Sequence, residues 1–148
     1  MKIKLDVNNR ISANMPHREL AHATGRQERL IKSMRETSIL FIVGTHRSGT
    51  SAVTGVCNIL GLDAGRTLMA PASDNPKGFY ENQRIVDAHD RLLCAMGWDW
   101  DTVGTLPEGW LESPEASATQ DRLVAICRED FDPSKNWVVK DPRLCLLM

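Results

Sequence analysis

The sequence predicts an α/β domain with parallel strands, and three observations lead to that prediction. A short apolar run, SILFIV (residues 38–43), consists largely of residue types that favour strands, and a continuous run of this kind fits a parallel strand buried on both faces. A second run, WVVK (residues 137–140), stands near the end of the chain. The segments between them carry helical patterns, and this order of elements is typical of parallel sheets.

A loop bounded by glycines and then a helix follow the first strand. The loop reads GTHRSG (residues 44–49), and we call it the glycine loop. Gly61 is placed to end the helix. Four residues recur at the spacing of one helical face, namely Val53, Val56, Cys57 and Leu60.

The remaining elements are predicted from turn signals and apolar periodicity. Residues 66–80 form a turn-rich segment, which we call the long loop, and a second helix spans about residues 82–96. An irregular segment covers residues 97–112, and SPE (residues 113–115) starts a third helix that ends near Glu129. The second helix carries an apolar stripe that consists of Ile85, Val86, Leu92, Leu93 and Met96.

Two parts of the chain are expected to differ in organisation. Residues 1–16 are predicted to be a loose arm and residues 17–36 a surface helix, so the domain proper covers residues 37–148. Two strands are too few for a parallel sheet with helices on its faces. We therefore expect the domain to be incomplete at its C-terminus.

Composition excludes several classes of function. The 148 residues suit one domain, and 18 Lys and Arg against 19 Asp and Glu leave a net charge of −1. No overall basic field exists to bind nucleic acid, so an anion site must be local. The longest apolar run lies near residues 39–43, far short of the ~20 residues that span a bilayer.

The lack of a secretory signal predicts a cytoplasmic protein, and the spacing of the cysteines predicts that it has no metal site. The first twenty residues contain no apolar run of the kind found in secretory signals. The cysteines are scattered and form no CxxC pair, so a zinc site is not expected and the thiols are expected to be reduced. Their positions are Cys57, Cys94, Cys127 and Cys145.

The glycine loop has the chemistry of an anion cradle. A loop between a strand and a helix directs backbone N–H groups inward, and the first N–H groups of the helix lack intrahelical partners. The helix dipole adds partial positive charge at the same place. Gly44 and Gly49 let the backbone curl and approach a ligand closely. The alternative is a turn between strand and helix that uses glycine for geometry and Ser or Thr for capping, and such a turn does not need Arg47.

The spacing of Gly44 and Gly49 is that of the nucleotide-binding loop GxxxxGK[ST]. Thr50 stands where that motif has lysine, while Ser51 keeps the final hydroxyl. The positive charge lies instead at Arg47, whose planar guanidinium suits phosphate or sulfate oxygens. A P-loop kinase or nucleotide hydrolase is an alternative that the missing lysine disfavours.

At this point the residues resemble a family. FIVGTHRSGTS (residues 41–51) resembles the phosphosulfate loop of sulfotransferases that use 3′-phosphoadenylyl sulfate, although His46 stands where proline is common. DNPKGFYEN (residues 74–82) and VKDPR (residues 139–143) resemble segments of bacterial members, and the Lys-Asp-Pro triplet also resembles tyrosylprotein sulfotransferases. The resemblance covers about residues 38–148. It implies a three-layer P-loop fold with a parallel sheet, incomplete at the C-terminus because the family's later 3′-phosphate segment does not follow.

The resemblance implies transfer of a sulfuryl group from 3′-phosphoadenylyl sulfate to a hydroxyl or amine. The acceptor would be a small molecule, a glycan or a peptide, and no metal is implied. Arg47 and the amides of residues 48–51 would hold the phosphosulfate and stabilise charge on the departing phosphate. Lys140 would point into the same crevice, since ligands bind at the carboxyl ends of parallel strands. The implied cofactor-binding residues are Gly44, His46, Arg47, Ser48, Gly49, Thr50 and Ser51.

The proton of the acceptor also needs a base. Glu81, where the long loop meets the second helix, is the first candidate, although it could serve only as a carboxylate near a helix dipole. Asp141 is the rival, but before Pro142 it could simply bond to turn backbone. His46 is a weaker candidate, and His89 is interpreted as structural. A non-catalytic, truncated relative that binds anions or a protein partner is a further alternative.

Overall fold

Two parallel strands, β1 (Ile39–Ile42) and β2 (Trp137–Lys140), form the sheet of the computed structural model, which describes residues 37–148. Ile39 lies opposite Trp137, and Ile42 lies opposite Lys140. Both strands therefore end at the same edge of the sheet, which brings the glycine loop and the residues after β2 together. The predicted arm and surface helix at residues 1–36 lie outside the described residues.

Helices occupy the segments where periodicity predicts them. Neither end of the second and third helices lies more than about one residue from its prediction, and residues 144–147 add a short fourth helix. None of the helices in residues 37–148 combines the length and the apolar character needed to cross a bilayer. The helices are α1 (Thr50–Ile59), α2 (Gln83–Ala95), α3 (Pro114–Asp130) and α4 (Leu144–Leu147), and a 3₁₀ turn covers Trp110–Glu112.

Side-chain caps define the starts of α2 and α3. The Asn82 side-chain oxygen accepts hydrogen bonds from the backbone amides of Arg84 and Ile85, at 3.1 and 3.3 Å. The Ser113 hydroxyl accepts one from the Ala116 amide at 3.1 Å, which confirms the predicted start of the third helix. Such caps contribute about 1 kcal/mol each because they satisfy amides that the helix cannot.

The core lies between β2 and the two helices α2 and α3. Side chains alternate along a strand, so Trp137 and Val139 share one face of β2 and Lys140 points to the other. On that other side Lys140 reaches Ser51 at the start of α1. The buried core cluster consists of Ile85, Ala88, Ile126, Phe131, Trp137 and Val139.

The prediction that the first strand is buried on both faces is wrong. Leu40 and Phe41, which point to opposite faces, are 43% and 37% exposed. β1 pairs only with β2, so within residues 37–148 no second strand lies along its other edge. The second strand, in contrast, is buried at all four positions, as its sequence predicts.

The apolar face predicted for the first helix is not its buried face. Val53, Val56 and Leu60 are all more than half exposed, whereas Thr54 and Gly55 are buried. The Thr54 hydroxyl donates to the Thr50 carbonyl at 2.8 Å, so its polar group is satisfied within the helix. Periodicity identified the helix correctly, but it could not show which side the rest of the chain covers.

The long loop doubles back on itself before α2. The Met69 amide donates to the Glu81 carbonyl, and the Gln83 amide donates to the Thr67 carbonyl, both at 2.8 Å. These bonds hold Glu81 in place although it lies outside regular secondary structure. The tip of the loop is thereby directed toward the glycine loop, where Asn75 contacts Ser51.

Candidate functional site

The glycine loop connects β1 to α1, and its shape depends on its two glycines. A Cβ at Gly44 would lie 2.8 Å from the Ser48 hydroxyl oxygen and 2.8 Å from the Thr50 methyl, so a larger residue would displace these two side chains. Gly49 adopts φ +87°, a conformation that favours glycine. A Cβ at Gly49 would meet no atom within 4 Å. The space beside Gly49 is therefore open to a ligand.

The start of α1 offers backbone donors to an anion. Gly49 caps the helix without a side-chain bond, and the first turn contains no acidic residue. Within residues 37–148, the amides of Gly49, Thr50 and Ser51 have no protein acceptor. The Ser48 amide differs, because it donates to the Thr45 carbonyl at 3.3 Å. Three of the four amides expected to hold the phosphosulfate thus remain available.

Arg47 joins the glycine loop to the long loop. Its guanidinium donates to the Asp74 carbonyl at 3.0 Å, and its side chain is exposed at the mouth of the site. Its backbone adopts φ +66°, which costs a non-glycine residue about 1–2 kcal/mol. Strained backbone of this kind persists where the surrounding structure holds it, and it concentrates at functional sites.

Lys140 lies at the carboxyl end of β2, with its ammonium group among three acceptors. It donates to the Ser51 hydroxyl at 3.4 Å, to the Phe79 carbonyl at 3.5 Å and to the carboxylate of Glu81. Both Lys140 and Glu81 are buried. A lysine ammonium has three N–H donors, so each has a partner in this arrangement.

Glu81, the first candidate base, is paired with cations on two sides. Its carboxylate contacts Lys140, and its second oxygen lies 3.9 Å from a guanidinium nitrogen of Arg143. The structure therefore brings Glu81 and Lys140 together, as the predicted crevice requires. Any proton that Glu81 accepts must arrive next to the Lys140 ammonium.

Asp141, the rival candidate base, is fully buried behind Arg143. Its carboxylate accepts bonds from the Arg143 amide and guanidinium, both at 3.0 Å, and lies 2.9 Å from His89 Nδ1. Burial alone raises the pKa of Asp141, but the His89 hydrogen bond and the charges of His89 and Arg143 outweigh it. The pKa of Asp141 therefore lies below its ordinary value. The bond to the Arg143 amide is the turn contact that its alternative role predicted.

Arg143 connects these carboxylates into one network. Its guanidinium bonds to both carboxylate oxygens of Asp90 on α2 and to Asp141. Burial lowers the pKa of Arg143, but the contacts with Asp90 and Asp141 raise it by a larger amount. The pKa of Arg143 therefore lies above the ordinary arginine value. Neighbouring carboxylates thus keep Arg143 charged behind the site.

His46 lies in the glycine loop but contacts an aromatic ring. Its imidazole packs edge-on against the Trp100 indole, with ring centroids 4.4 Å apart. Both side chains are exposed. The contact places the irregular segment beside the glycine loop.

Sequence reasoning missed several contributors to this site. Asn75 and Phe79 contact Ser51 and Lys140, and Tyr80 adopts a left-handed backbone at φ +56°. Asn75, Phe79 and Tyr80 all lie in the segment DNPKGFYEN, whose resemblance to sulfotransferases was the sequence signal that could have pointed to them. The two α2 residues, His89 and Asp90, lie 52 and 53 positions from their partners, a separation that no local spacing reveals.

The described residues contain no group of three or more His, Cys, Asp or Glu side chains that could hold a metal ion.

The chain matches no protein-family model, no curated protein and no solved structure in comparisons with each. The glycine loop, the long loop and the end of β2 are therefore the features from which a function is inferred.

Proposed function

We propose that this protein is a sulfotransferase that transfers a sulfuryl group from 3′-phosphoadenylyl sulfate to an acceptor hydroxyl or amine. The fold proposed with it is a three-layer P-loop fold, of which β1, the glycine loop and α1 form the nucleotide-binding unit. One observation carries the proposal. Arg47 and Lys140, from opposite ends of the described chain, both contact the long loop, and Ser51 bonds to that loop and to Lys140.

The residues fit an anion with two charged ends. The amides of Gly49, Thr50 and Ser51 are available at a helix N-terminus, the space beside Gly49 is open, and two cations flank the loop. Backbone amides and helix N-termini favour phosphate and sulfate without requiring a metal. The motif lysine of nucleotide hydrolases is absent, because Thr50 occupies that position.

The reaction forms a bond between the acceptor oxygen or nitrogen and sulfur, and breaks the bond between sulfur and the bridging phosphate oxygen. The nucleotide supplies the sulfuryl group and leaves as a bisphosphate. Arg47 and the loop amides bind its phosphate oxygens and stabilise the charge that develops there. Lys140 keeps its bonds to Ser51, Phe79 and Glu81 and stabilises the transferring group through its charge, and Glu81 accepts the acceptor's proton. Positioning and charge stabilisation thus account for catalysis, as in phosphoryl transfer.

Calorimetric titration tests the proposal. Wild-type protein and Arg47→Ala are titrated with 3′-phosphoadenosine 5′-phosphate and, separately, with ATP and magnesium. We expect wild type to prefer the bisphosphate. We expect Arg47→Ala to lose about tenfold or more in affinity for it, since one charge-assisted bond contributes about 1.5–3 kcal/mol.

Arg91→Ala is the matched control, because Arg91 is an exposed arginine on α2 and belongs to neither the glycine loop nor the long loop. It should bind the bisphosphate as wild type does. Equal or tighter binding of ATP with magnesium would contradict the proposal and favour a nucleotide kinase or hydrolase. Equal losses in Arg47→Ala and Arg91→Ala would show a nonspecific charge effect and would also contradict it.

A further inference from the structure

We propose that Tyr80 and Gly55 are positioning residues that hold Lys140 in the anion site by fixing the Phe79 carbonyl. The role of this arrangement rests on the proposed function, because Lys140 needs a fixed position only if the site binds an anion. Its geometry does not depend on that function, so the two can be tested separately. Neither residue is expected to touch the reacting atoms.

Tyr80 has a left-handed backbone conformation at the end of the long loop, next to the candidate site. Within residues 37–148, only Arg47 and Tyr80 among non-glycine residues have a positive φ, at 66° and 56°. Both border the site, and a bulky side chain in this conformation persists only where neighbouring structure holds it. The neighbouring structure at Tyr80 is the backbone of α1.

Gly55 provides the surface against which the Tyr80 ring lies. A Cβ at Gly55 would be 3.1 Å from two atoms of the ring and 3.4 Å from its hydroxyl oxygen, closer than ordinary contact. Gly55 is buried in the middle of α1, where glycine is a poor helix former. The contact with Tyr80 gives a physical reason for glycine at this position.

The conformation of Tyr80 is coupled to Lys140 through one peptide group. The φ angle of a residue sets the direction of the peptide group before it, so Tyr80 sets the direction of the Phe79 carbonyl. That carbonyl accepts a hydrogen bond from the Lys140 ammonium at 3.5 Å. If the ring left Gly55, the backbone strain could relax and the carbonyl would turn away from Lys140.

The same segment of the long loop contacts the other groups of the site. Asp74 accepts from Arg47 at 3.0 Å, and Asn75 donates to the Ser51 hydroxyl at 3.3 Å. Anchoring Tyr80 against α1 therefore fixes a segment that touches both cations and the start of the helix. A purely structural role for Gly55 would affect the packing of α1 without changing the surroundings of Lys140.

Limited acetylation followed by mass spectrometry measures this effect directly. Lys140 is buried and bonded, so its amine should react slowly in wild type, and exposed Lys135 serves as the internal reference. We expect Gly55→Ala and Tyr80→Ala to raise acetylation of Lys140 several-fold relative to Lys135. Tyr80→Phe keeps the ring and should restore protection. Val53→Ala, an exposed change on the same helix, should leave it unchanged.

Stability and nucleotide affinity separate positioning from folding. Alanine is a better helix former than glycine, and this gain offsets the cost of displacing the Tyr80 ring, so Gly55→Ala should change the midpoint of urea unfolding little. Its affinity for 3′-phosphoadenosine 5′-phosphate should nevertheless fall about tenfold, as expected for disturbing one charge-assisted contact. Tyr80→Phe should bind like wild type. A positioning role predicts this split between affinity and stability, whereas a structural role predicts that both change together.

The outcomes distinguish this inference from the proposed function. Unchanged acetylation of Lys140 in both Gly55→Ala and Tyr80→Ala would overturn the inference, whatever the nucleotide does. Increased acetylation of Lys140 that is accompanied by a lower midpoint of urea unfolding in Gly55→Ala would also overturn it in favour of a folding role. Selective exposure of Lys140 in a protein whose wild type binds no bisphosphate would support the inference and contradict the proposed function.

Discussion

The two sides of the candidate site are built differently. The first side, consisting of β1, the glycine loop and α1, is largely exposed, and the three amides of residues 49–51 have no protein acceptor within residues 37–148. The second side, at the end of β2, is buried, and each of its charged groups is paired. The difference indicates a division of roles in which the first side accepts a ligand and the second holds fixed charge near it.

Besides the pairing of β1 with β2, polar groups connect the two sides, directly or through the long loop. Lys140 reaches Ser51, Asn75 of the long loop also reaches Ser51, and Arg47 bonds to the backbone at Asp74. Because the long loop contacts both sides, a substitution on one side should also affect the other side through this loop. The comparison can therefore be tested by substitutions that belong to one side only.

Removal of Lys140 should have the largest effect on stability. Lys140→Ala leaves Glu81 buried, with Arg143 at 3.9 Å as its remaining cationic neighbour among residues 37–148. Breaking a buried ion pair by removing one partner costs about 3–5 kcal/mol. Urea unfolding of Lys140→Ala should show a loss of this size, and Lys135→Ala, at an exposed position, should show almost none.

The double variant Lys140→Met with Glu81→Gln sharpens this test. It removes both charges, so it should recover a large part of the stability that Lys140→Ala loses. A loss below about 1 kcal/mol for Lys140→Ala would instead match an exposed ion pair. That result would contradict the difference drawn between the two sides.

A matched pair of valines compares the sides directly and should give the next largest effect. Val138 in β2 is 1% exposed, whereas Val56 in α1 is 55% exposed. Val138→Ala removes two buried carbon groups and leaves a cavity, for a loss of roughly 2–3 kcal/mol. Val56→Ala should be neutral or slightly stabilising, because alanine favours helix. Equal losses in urea unfolding would show that another surface covers α1 and would contradict the open first side.

Acidification should weaken the second side by a smaller amount. Because the pKa of Asp141 lies below its ordinary value in the folded protein, folding favours its ionised form. The resulting stability is present in full above the unfolded pKa of about 4 and is lost as the pH falls toward the folded value. Asp141→Asn cannot titrate, so at neutral pH it should be less stable than wild type by about 2 kcal/mol.

The gap between wild type and Asp141→Asn should narrow as the pH decreases from about 5 to 3. Urea unfolding midpoints across this range measure the gap. A gap that stays constant or widens in acid would show that Asp141 gains no stability from its charge. The buried network would then not have the electrostatic role assigned to it.

Local sequence patterns predicted the elements well and their surroundings poorly. The Ser113 cap, the apolar stripe of the second helix and the two apolar runs predicted the helices and strands nearly at their observed positions. The exposure of Leu40 and Phe41 could not be predicted in this way. Apolar residues indicate that a strand has faces to bury, but they do not indicate what lies against those faces.

The candidate site was predictable in its residue types and not in its pairings. The glycine spacing and Arg47 indicated an anion loop, and the end of a parallel strand placed Lys140 on the same edge. The pairing of Lys140 with Glu81 spans 59 positions, and such contacts depend on how the long loop folds back. The left-handed Tyr80 was equally hidden, because only its contact with Gly55 explains it.

The central claim is that the glycine loop binds an oxyanion between Arg47 and Lys140. Nuclear magnetic resonance of the backbone amides, recorded while 3′-phosphoadenosine 5′-phosphate is added, tests it most directly. The account predicts saturable shifts at Gly49, Thr50 and Ser51, and loss of those shifts in Arg47→Ala. Amides of the loop that stay unchanged at saturating nucleotide, or shifts confined to other parts of the chain, would contradict it.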